Sequence, residues 1–452
     1  MKRKRSVRHP ADVLGVGRGA ASSVWRTHAR TGRIPWAELE RVGSAETKAT
    51  LRSRLLLLTT NVLAWAWNYT KFVFRRRYRP FPTHLSDRSQ GLIEMEGSTI
   101  ALAGDWGSGT YSAYQVADRI RALEPDYTIH LGDVYYSGSK EEFDLYFLPE
   151  DAWPEGKKGT FALNGNHEMY SGGRAYFEAL KTEKLSYEVG GVRRPQNASY
   201  FCLQNEHWRV LALDTAYYAR RFPVLELADT HLIKLHRAIE TWLSDVVFKD
   251  PEDRRPVILL SHHEWFSAYD SEYKRMGSQL APYLDRVLLW FWGHEHRFSG
   301  YGPSGPDGGP QVRARCIGHG GIPFAIDYPH RHRNLVFSDE RISAESTNYV
   351  DAKQQLGYCG FALLNLEGPK LTVSYYDERE GSDFLLRETW TWSEESGTAR
   401  GEVEGGGLLA KYRDGYPRVP PKRVPDAHGA ERLEALGGLW PDRGKGQRRQ
   451  GV

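Results

Sequence analysis

Residues 99–107 read TIALAGDWG and residues 128–136 read TIHLGDVYY: twice, an apolar run of strand length ends in Gly-Asp. The arrangement continues along the chain. TFAL at 160–163 leads into Asn164, Gly165, Asn166, His167 and Glu168. PVILLS at 256–261 leads into His262 and His263, and RVLLWFW at 286–292 leads into Gly293, His294, Glu295 and His296. In an α/β sheet the carboxyl ends of strands open onto one edge, where ligands bind. Carboxylate, amide and imidazole donors gathered at one edge suit Fe, Zn or Mn. Glycines 104, 132, 165 and 293 let the backbone turn sharply beside them. Taken singly, a Gly-Asp turn or a strand-end His is ordinary loop chemistry. GNHE and GHEH are stronger, because each packs two donors into a Gly-initiated turn. The five pieces in this order define a metal site.

Helical spacing of Ala113, Val116, Ala117, Ile120 and Leu123 predicts a helix after the first strand. A hairpin is expected within 199–214, a long helix at about 229–244, and a strand in VRARCIG at 312–318. GFALLNLEGPKLTVSYYD at 360–377 reads as two strands joined by a Glu-Gly turn. The alternation predicts an α/β fold with two packed sheets and helices outside them.

The series GDWG, GDVYY, GNHE, LLSHH and GHEH resembles the five signature blocks of the calcineurin-like metallophosphoesterases, over residues 99–297. Most branches of that family have Asp-x-His in the first block; here it is Asp105-Trp106-Gly107, and Tyr136 stands three residues after Asp133. That pattern is similar to the purple acid phosphatases, the branch that includes the tartrate-resistant enzymes, where a Tyr phenolate binds a ferric ion. The resemblance implies a four-layer αββα sandwich with two mixed sheets. It also implies two divalent or trivalent metal ions, Fe with Fe, Zn or Mn, bridged by Asp133. One would take Asp105, Asp133, Tyr136 and His296; the other would take Asp133, Asn166, His262 and His294. Tyr135 competes with Tyr136, but its offset from Asp133 is wrong for the motif.

The implied activity is hydrolysis of a phosphate-ester substrate by a metal-bound hydroxide that attacks phosphorus, most nearly as a phosphomonoesterase. A phosphodiesterase acting on cyclic nucleotides or phospholipid headgroups is the alternative, since segments 215–228 and 321–358 would set substrate class. A non-catalytic scaffold would be expected to lose ligands, and here all seven are present. His167 resembles the outer-sphere catalytic His that contacts phosphate and protonates the leaving oxygen. His263 and His319, with Glu264, are candidates to line the substrate pocket; the alternative is that they lie at the surface or support the ligands from behind. His130, His207, His231 and His236 lie outside the blocks and read as structural.

Bulk properties agree with a folded enzyme. The 452 residues are 40% hydrophobic and include 14 Trp, 25 Tyr and 17 Phe, which excludes a wholly disordered chain. Net charge is only +4, so no specific nucleic-acid binding is expected. Three scattered cysteines, Cys202, Cys316 and Cys359, form no CxxC pair and argue against a disulfide framework. Residues 1–95 are expected to be an extension carrying an amphipathic helix at about 50–78, with Leu51, Leu55, Leu58, Val62, Trp65, Tyr69 and Phe72 on one stripe. Polar interruptions make it too weak for a membrane span. Packing on the main domain is the bland reading, and peripheral membrane contact the sharper one. No secretory signal is visible, so a cytoplasmic location is expected. Residues 96–395 form the expected catalytic domain, and 396–452 a Gly/Pro-rich, basic, disordered tail.

Overall fold

The strands that carry the blocks are short and buried on both faces, as in a sheet sandwiched between another sheet and helices. In chain order they are β1 (Leu92–Glu94), β2 (Thr99–Ala103), β3 (Tyr127–His130), β4 (Gly159–Ala162), β5 (Ser186–Val189) and β6 (Val192–Pro195). The next six are β7 (Phe201–Gln204), β8 (Arg209–Ala212), β9 (Val257–Ser261), β10 (Val287–Trp292), β11 (Phe298–Ser304) and β12 (Val312–Ile317). The series ends with β13 (Leu335–Ser338), β14 (Gly360–Glu367), β15 (Lys370–Asp377), β16 (Leu386–Ser393), β17 (Thr398–Gly405) and β18 (Lys422–Val424). This computed structural model describes residues 80–84, 91–219, 233–270, 272–304, 311–322, 335–343, 356–379, 381, 383–405 and 422–424. The expected helix at 50–78, and residues 220–228, 323–334 and 344–355 of the expected specificity loops, lie outside them.

The strands form two mixed sheets. Eight make the order β1-β7-β8-β9-β10-β12-β11-β13, and ten make the order β18-β17-β16-β15-β14-β2-β3-β4-β5-β6. In the larger sheet β2, β3 and β4 are parallel neighbours; in the smaller one β8, β9, β10 and β12 are. Period-2 alternation sorts their side chains. Ile100, Leu102, Ile129 and Phe161 meet Val210, Ile258, Leu260 and Phe291 in one core between the sheets. Ala101, Ala103, Leu259 and Trp290 belong to a second core with helical residues Val116, Ala117 and Ile120. The first helix, Tyr111–Leu123, starts where Thr110 Oγ1 accepts from Ala113 N at 3.1 Å. It ends at Glu124 in a left-handed conformation. The result is the α/β sandwich expected from the strand pattern.

Two expectations need correction. The long helix is a short α segment, Arg237–Trp242, continued by a π turn over Leu243–Val247. The larger sheet runs past the expected domain end at 395, because β17 pairs along the whole of β16 as far as Gly405 and β18 then pairs with β17. The Gly/Glu-rich β17 and the exposed β6 carry little apolar alternation to mark them as strands. Among the described residues no helix is long and apolar enough to cross a membrane.

A polar pair crosses the inter-sheet core. Arg315 of β12 donates to Glu388 of β16 through Nε at 2.6 Å and Nη2 at 2.8 Å, with both side chains fully buried. Such a fork-on-fork pair is costly to break from one side. Glu388→Gln should destabilise the protein by about 3–5 kcal/mol, measured by urea unfolding. A loss under 1 kcal/mol would mean that the pair does not hold the two sheets together.

Candidate metal centre

The parallel strands of both sheets end at one edge, where backbone hydrogen bonds join them. Gly104 N donates to the Ile317 carbonyl across the two sheets at 3.1 Å. Asp105 N donates to the Gly132 carbonyl at 3.0 Å, and Gly293 N to the His262 carbonyl at 3.0 Å. The donor loops therefore start from a fixed frame. Asp105 and Asp133 lie in it with relative exposures of 0% and 1%.

Side-chain geometry falls into two halves that share Asp133. In the first, the Tyr135 hydroxyl donates to Asp105 Oδ1 at 2.6 Å and lies 2.7 Å from His296 Nε2. His296 Nε2 is 3.3 Å from Asp105 Oδ1, and the Tyr135 hydroxyl is 3.3 Å from Asp133 Oδ2. In the second, His262 Nε2 lies 3.3 Å from Asp133 Oδ2 and 2.9 Å from Asn166 Oδ1. Its Nδ1 meets the Leu131 carbonyl at 2.9 Å, which fixes the ring and leaves Nε2 facing the cluster. His294 joins this half: its ring nitrogen falls within 4.8 Å of those offered by His262 and His263. His294 N also donates to Asp105 Oδ2 at 2.7 Å, which ties the halves together.

The frame holds these groups under strain. Four of the six non-glycine residues with positive φ among those described are Asp105, Asp133, His294 and His296. Left-handed backbone costs such residues about 1–3 kcal/mol each and clusters at functional sites. Glycines give the clearance: a Cβ on Gly165 would lie 2.1 Å from Asp133 Oδ1, and one on Gly293 2.7 Å from Asp105 Oδ2. Glu168 clamps the Asp133 loop, accepting from Asp133 N at 3.1 Å, Val134 N at 2.8 Å and Gly165 N at 2.8 Å.

The electrostatics favour positive charge at the cluster. Burial alone would lower the His262 imidazole, but the Asp133 carboxylate overrides it and pushes His262 up to about 10. Burial and the two carboxylates hold the Tyr135 phenol well above its usual range, so it remains a donor to Asp105. Burial, with His294 beside it, holds His263 neutral and well below the usual imidazole range. Buried carboxylates, imidazole nitrogens, an amide oxygen and a phenol are a donor set that fits two first-row transition ions.

The structure brings together Asp105, Asp133, Asn166, His262, His294 and His296. His167 sits at the rim, with its N donating to Asp133 Oδ1 at 2.9 Å. His263 adjoins the second half, with Nδ1 3.0 Å from Thr215 Oγ1 and Nε2 unpartnered. Two expected residues are placed otherwise. Tyr135, not Tyr136, puts its hydroxyl into the cluster. The cause is local: Glu142 gathers the N–H groups of Tyr136, Ser137 and Ser139, while the Tyr136 carbonyl meets His167 Nδ1 at 2.7 Å. His319 stacks on Phe298 with centroids 5.4 Å apart, and no hydrogen bond joins it to the cluster. Sequence reasoning missed the Glu168 clamp. Its signal was present as a Glu three residues after the Gly that opens a helical turn.

Residues 98–298 match the calcineurin-like phosphoesterase family model. No curated protein sequence matches the chain. Among solved structures, the purple acid phosphatase PPD1 from yellow lupin (Lupinus luteus) is similar at 15% identity and TM-score 0.42. The match covers 63% of this chain and 52% of that one, so the chain spans about half the length of the lupin protein. A dimetal phosphatase from Danio rerio is similar at 12% identity and TM-score 0.35, covering 66% of this chain and 99% of that one. Vacuolar Protein Sorting 29 from Cryptosporidium parvum follows at 14% identity and TM-score 0.27, covering 66% and 99%. Likenesses at these TM-scores carry no argument about activity.

Gly165→Ala tests the frame. The added methyl must displace Asp133, so loaded protein should retain clearly less metal by elemental analysis. Overpacking should cost about 1–3 kcal/mol in urea unfolding. Full metal retention in a folded variant would remove Asp133 from the ligand set.

Proposed function

With residues 98–298 a calcineurin-like phosphoesterase domain, we propose that the chain is a dinuclear-metal phosphomonoesterase of the purple-acid-phosphatase kind. The observation that carries this reading is the Tyr135 hydroxyl between Asp105 and His296, at 2.6 and 2.7 Å. It stands where a first-block histidine would be wanted, next to Trp106-Gly107. Asp105, Asp133, Tyr135 and His296 would hold one ion, and Asp133, Asn166, His262 and His294 the other. A phenolate is a hard anionic donor, so the first position suits Fe(III), with Fe, Zn or Mn in the second. The ions would supply an acidified nucleophile and charge compensation on phosphate oxygens.

The chain's own residues do the rest. His167 Nδ1 is engaged by the Tyr136 carbonyl, and the side chain keeps 19% exposure. Its Nε2, 3.7 Å from Asp133 Oδ2, faces the centre, where it would contact a phosphate oxygen and pass a proton to the leaving oxygen. His263 is the nearer candidate for a further phosphate contact, since His319 is engaged elsewhere. Glu168 and the glycines keep the donors in register, so that little reorganisation is needed when substrate arrives.

Two experiments test this. Iron-loaded protein should be coloured by phenolate-to-Fe(III) charge transfer. Tyr135→Phe should bleach it, and Tyr136→Phe should not; bleaching by Tyr136→Phe alone reverses the ligand assignment. In steady-state kinetics p-nitrophenyl phosphate should exceed bis(p-nitrophenyl) phosphate by roughly tenfold or more in kcat/KM. His167→Ala should lower kcat by about 10²-fold with metal content kept. A preference for the diester would make the chain a phosphodiesterase.

A further inference from the structure

Strands β9, β10 and β12 have a second, opposite end. Their amino ends border a cavity of about 280 Å³ whose walls include Arg254, Arg286 and Arg313. Trp392 and Thr398, from the other sheet, close it, and among the described residues Asp285 is the only acidic one lining it. Three guanidinium groups therefore share one cavity with one carboxylate.

Arg313 is the informative one. It has a relative exposure of 4%, and its Nε and Nη2 have no hydrogen-bond partner among the described residues. Its guanidinium lies 5.2 Å from the centre of the Trp390 ring. The nearest buried acid, Glu388, is already saturated. It takes both forks of Arg315, the Tyr375 hydroxyl at 2.9 Å and Trp390 Nε1 at 3.2 Å. Burial and the like charge of Arg315 lower Arg313 only to about 10, so it stays cationic at neutral pH. Asp253 does not compensate either. It pairs with Arg209 and Arg255 at 2.7 Å each and lies 3.9 Å from Arg286 Nη2. The buried guanidiniums of Arg313 and Arg315 thus have the single buried carboxylate of Glu388 between them, and an unpaired buried charge is expensive.

We propose that this cavity binds a small tetrahedral oxyanion of the phosphate type, held by Arg313 with Arg286 beside it and the exposed Arg254 at the rim. Guanidinium forks match such oxygens in geometry as well as charge. The volume exceeds what a bare oxyanion needs, and half-buried Trp392 offers an apolar wall. Free phosphate and the headgroup of a small organic phosphate share this chemistry.

The test uses the full-length, metal-loaded chain and two probes, inorganic phosphate and phenylphosphonate. Binding is followed by calorimetry and by the ligand-dependent rise in melting temperature. Wild type should show a phosphate site in addition to that of the metal centre. Arg254→Ser should weaken it by roughly three- to tenfold. Arg313→Met should abolish it and, in phosphate-free buffer, raise the melting temperature by removing the unpaired charge. Tighter binding of phenylphosphonate assigns the site to organic phosphates, and equal or weaker binding to the free ion. One class of site in wild type, or the same two in both variants, overturns the proposal. Should Arg313→Met fail to fold, the Arg254→Ser titration decides alone. The outcome does not depend on the activity proposed above, because the metal centre is common to every sample.

Discussion

Two carboxylates, Asp105 and Asp133, are held out of water at the edge where the sheets meet, and the functional end of the molecule is organised around them. An ionised carboxylate in such a place is tolerable only with donors and countercharge around it. Asp133 Oδ1 accepts from His167 N, and Asp105 Oδ2 accepts from His294 N. The remaining oxygen of each faces imidazole nitrogens or the Tyr135 hydroxyl. The left-handed backbone at Asp105, Asp133, His294 and His296 follows from the same constraint. Each chain segment must leave its strand and turn back within one residue to aim its donor inward.

The donors also divide by sheet. Asp105, Asp133, Tyr135 and Asn166 follow strands of the larger sheet; His262, His294 and His296 follow strands of the smaller one. Oxygen donors stand on one side of the seam and imidazoles on the other. Ions bound across it would link the sheets as well as serve chemistry, so metal binding and folding share free energy here. The backbone bond from Gly104 to Ile317 already bridges that seam, which places the halves at working distance before any ion arrives.

Much of this was legible because each donor directly follows an apolar run. Strand ends fall where the run stops, and parallel neighbours deliver those ends to one edge. The choice between adjacent tyrosines was not legible. A motif offset assumes a backbone path, and here the path is set by Glu142, whose carboxylate collects the N–H groups of Tyr136, Ser137 and Ser139. His319 failed for a related reason. It follows a strand end, as the true donors do, but Gly318 occupies the space beside Asp105 Oδ2, and the next residue turns onto Phe298. Proximity in sequence to a strand end predicts the edge but not the direction of the side chain.

The opposite end of the sandwich poses the same problem with the sign reversed. Sheets carry little net dipole, so the bias must come from side chains. At the carboxyl ends the excess is negative and the remedy is a metal; at the amino ends it is positive around Arg313. The described part of the chain does not neutralise that excess. Glu388 is spent on Arg315, Asp253 on Arg209 and Arg255, and Asp285 is exposed. A second Arg on the inward face of β12 adds nothing to the Arg315–Glu388 bridge, and an apolar residue there would pack without a charge penalty. The guanidinium is therefore better explained by an anion arriving from solution than by any need of the fold.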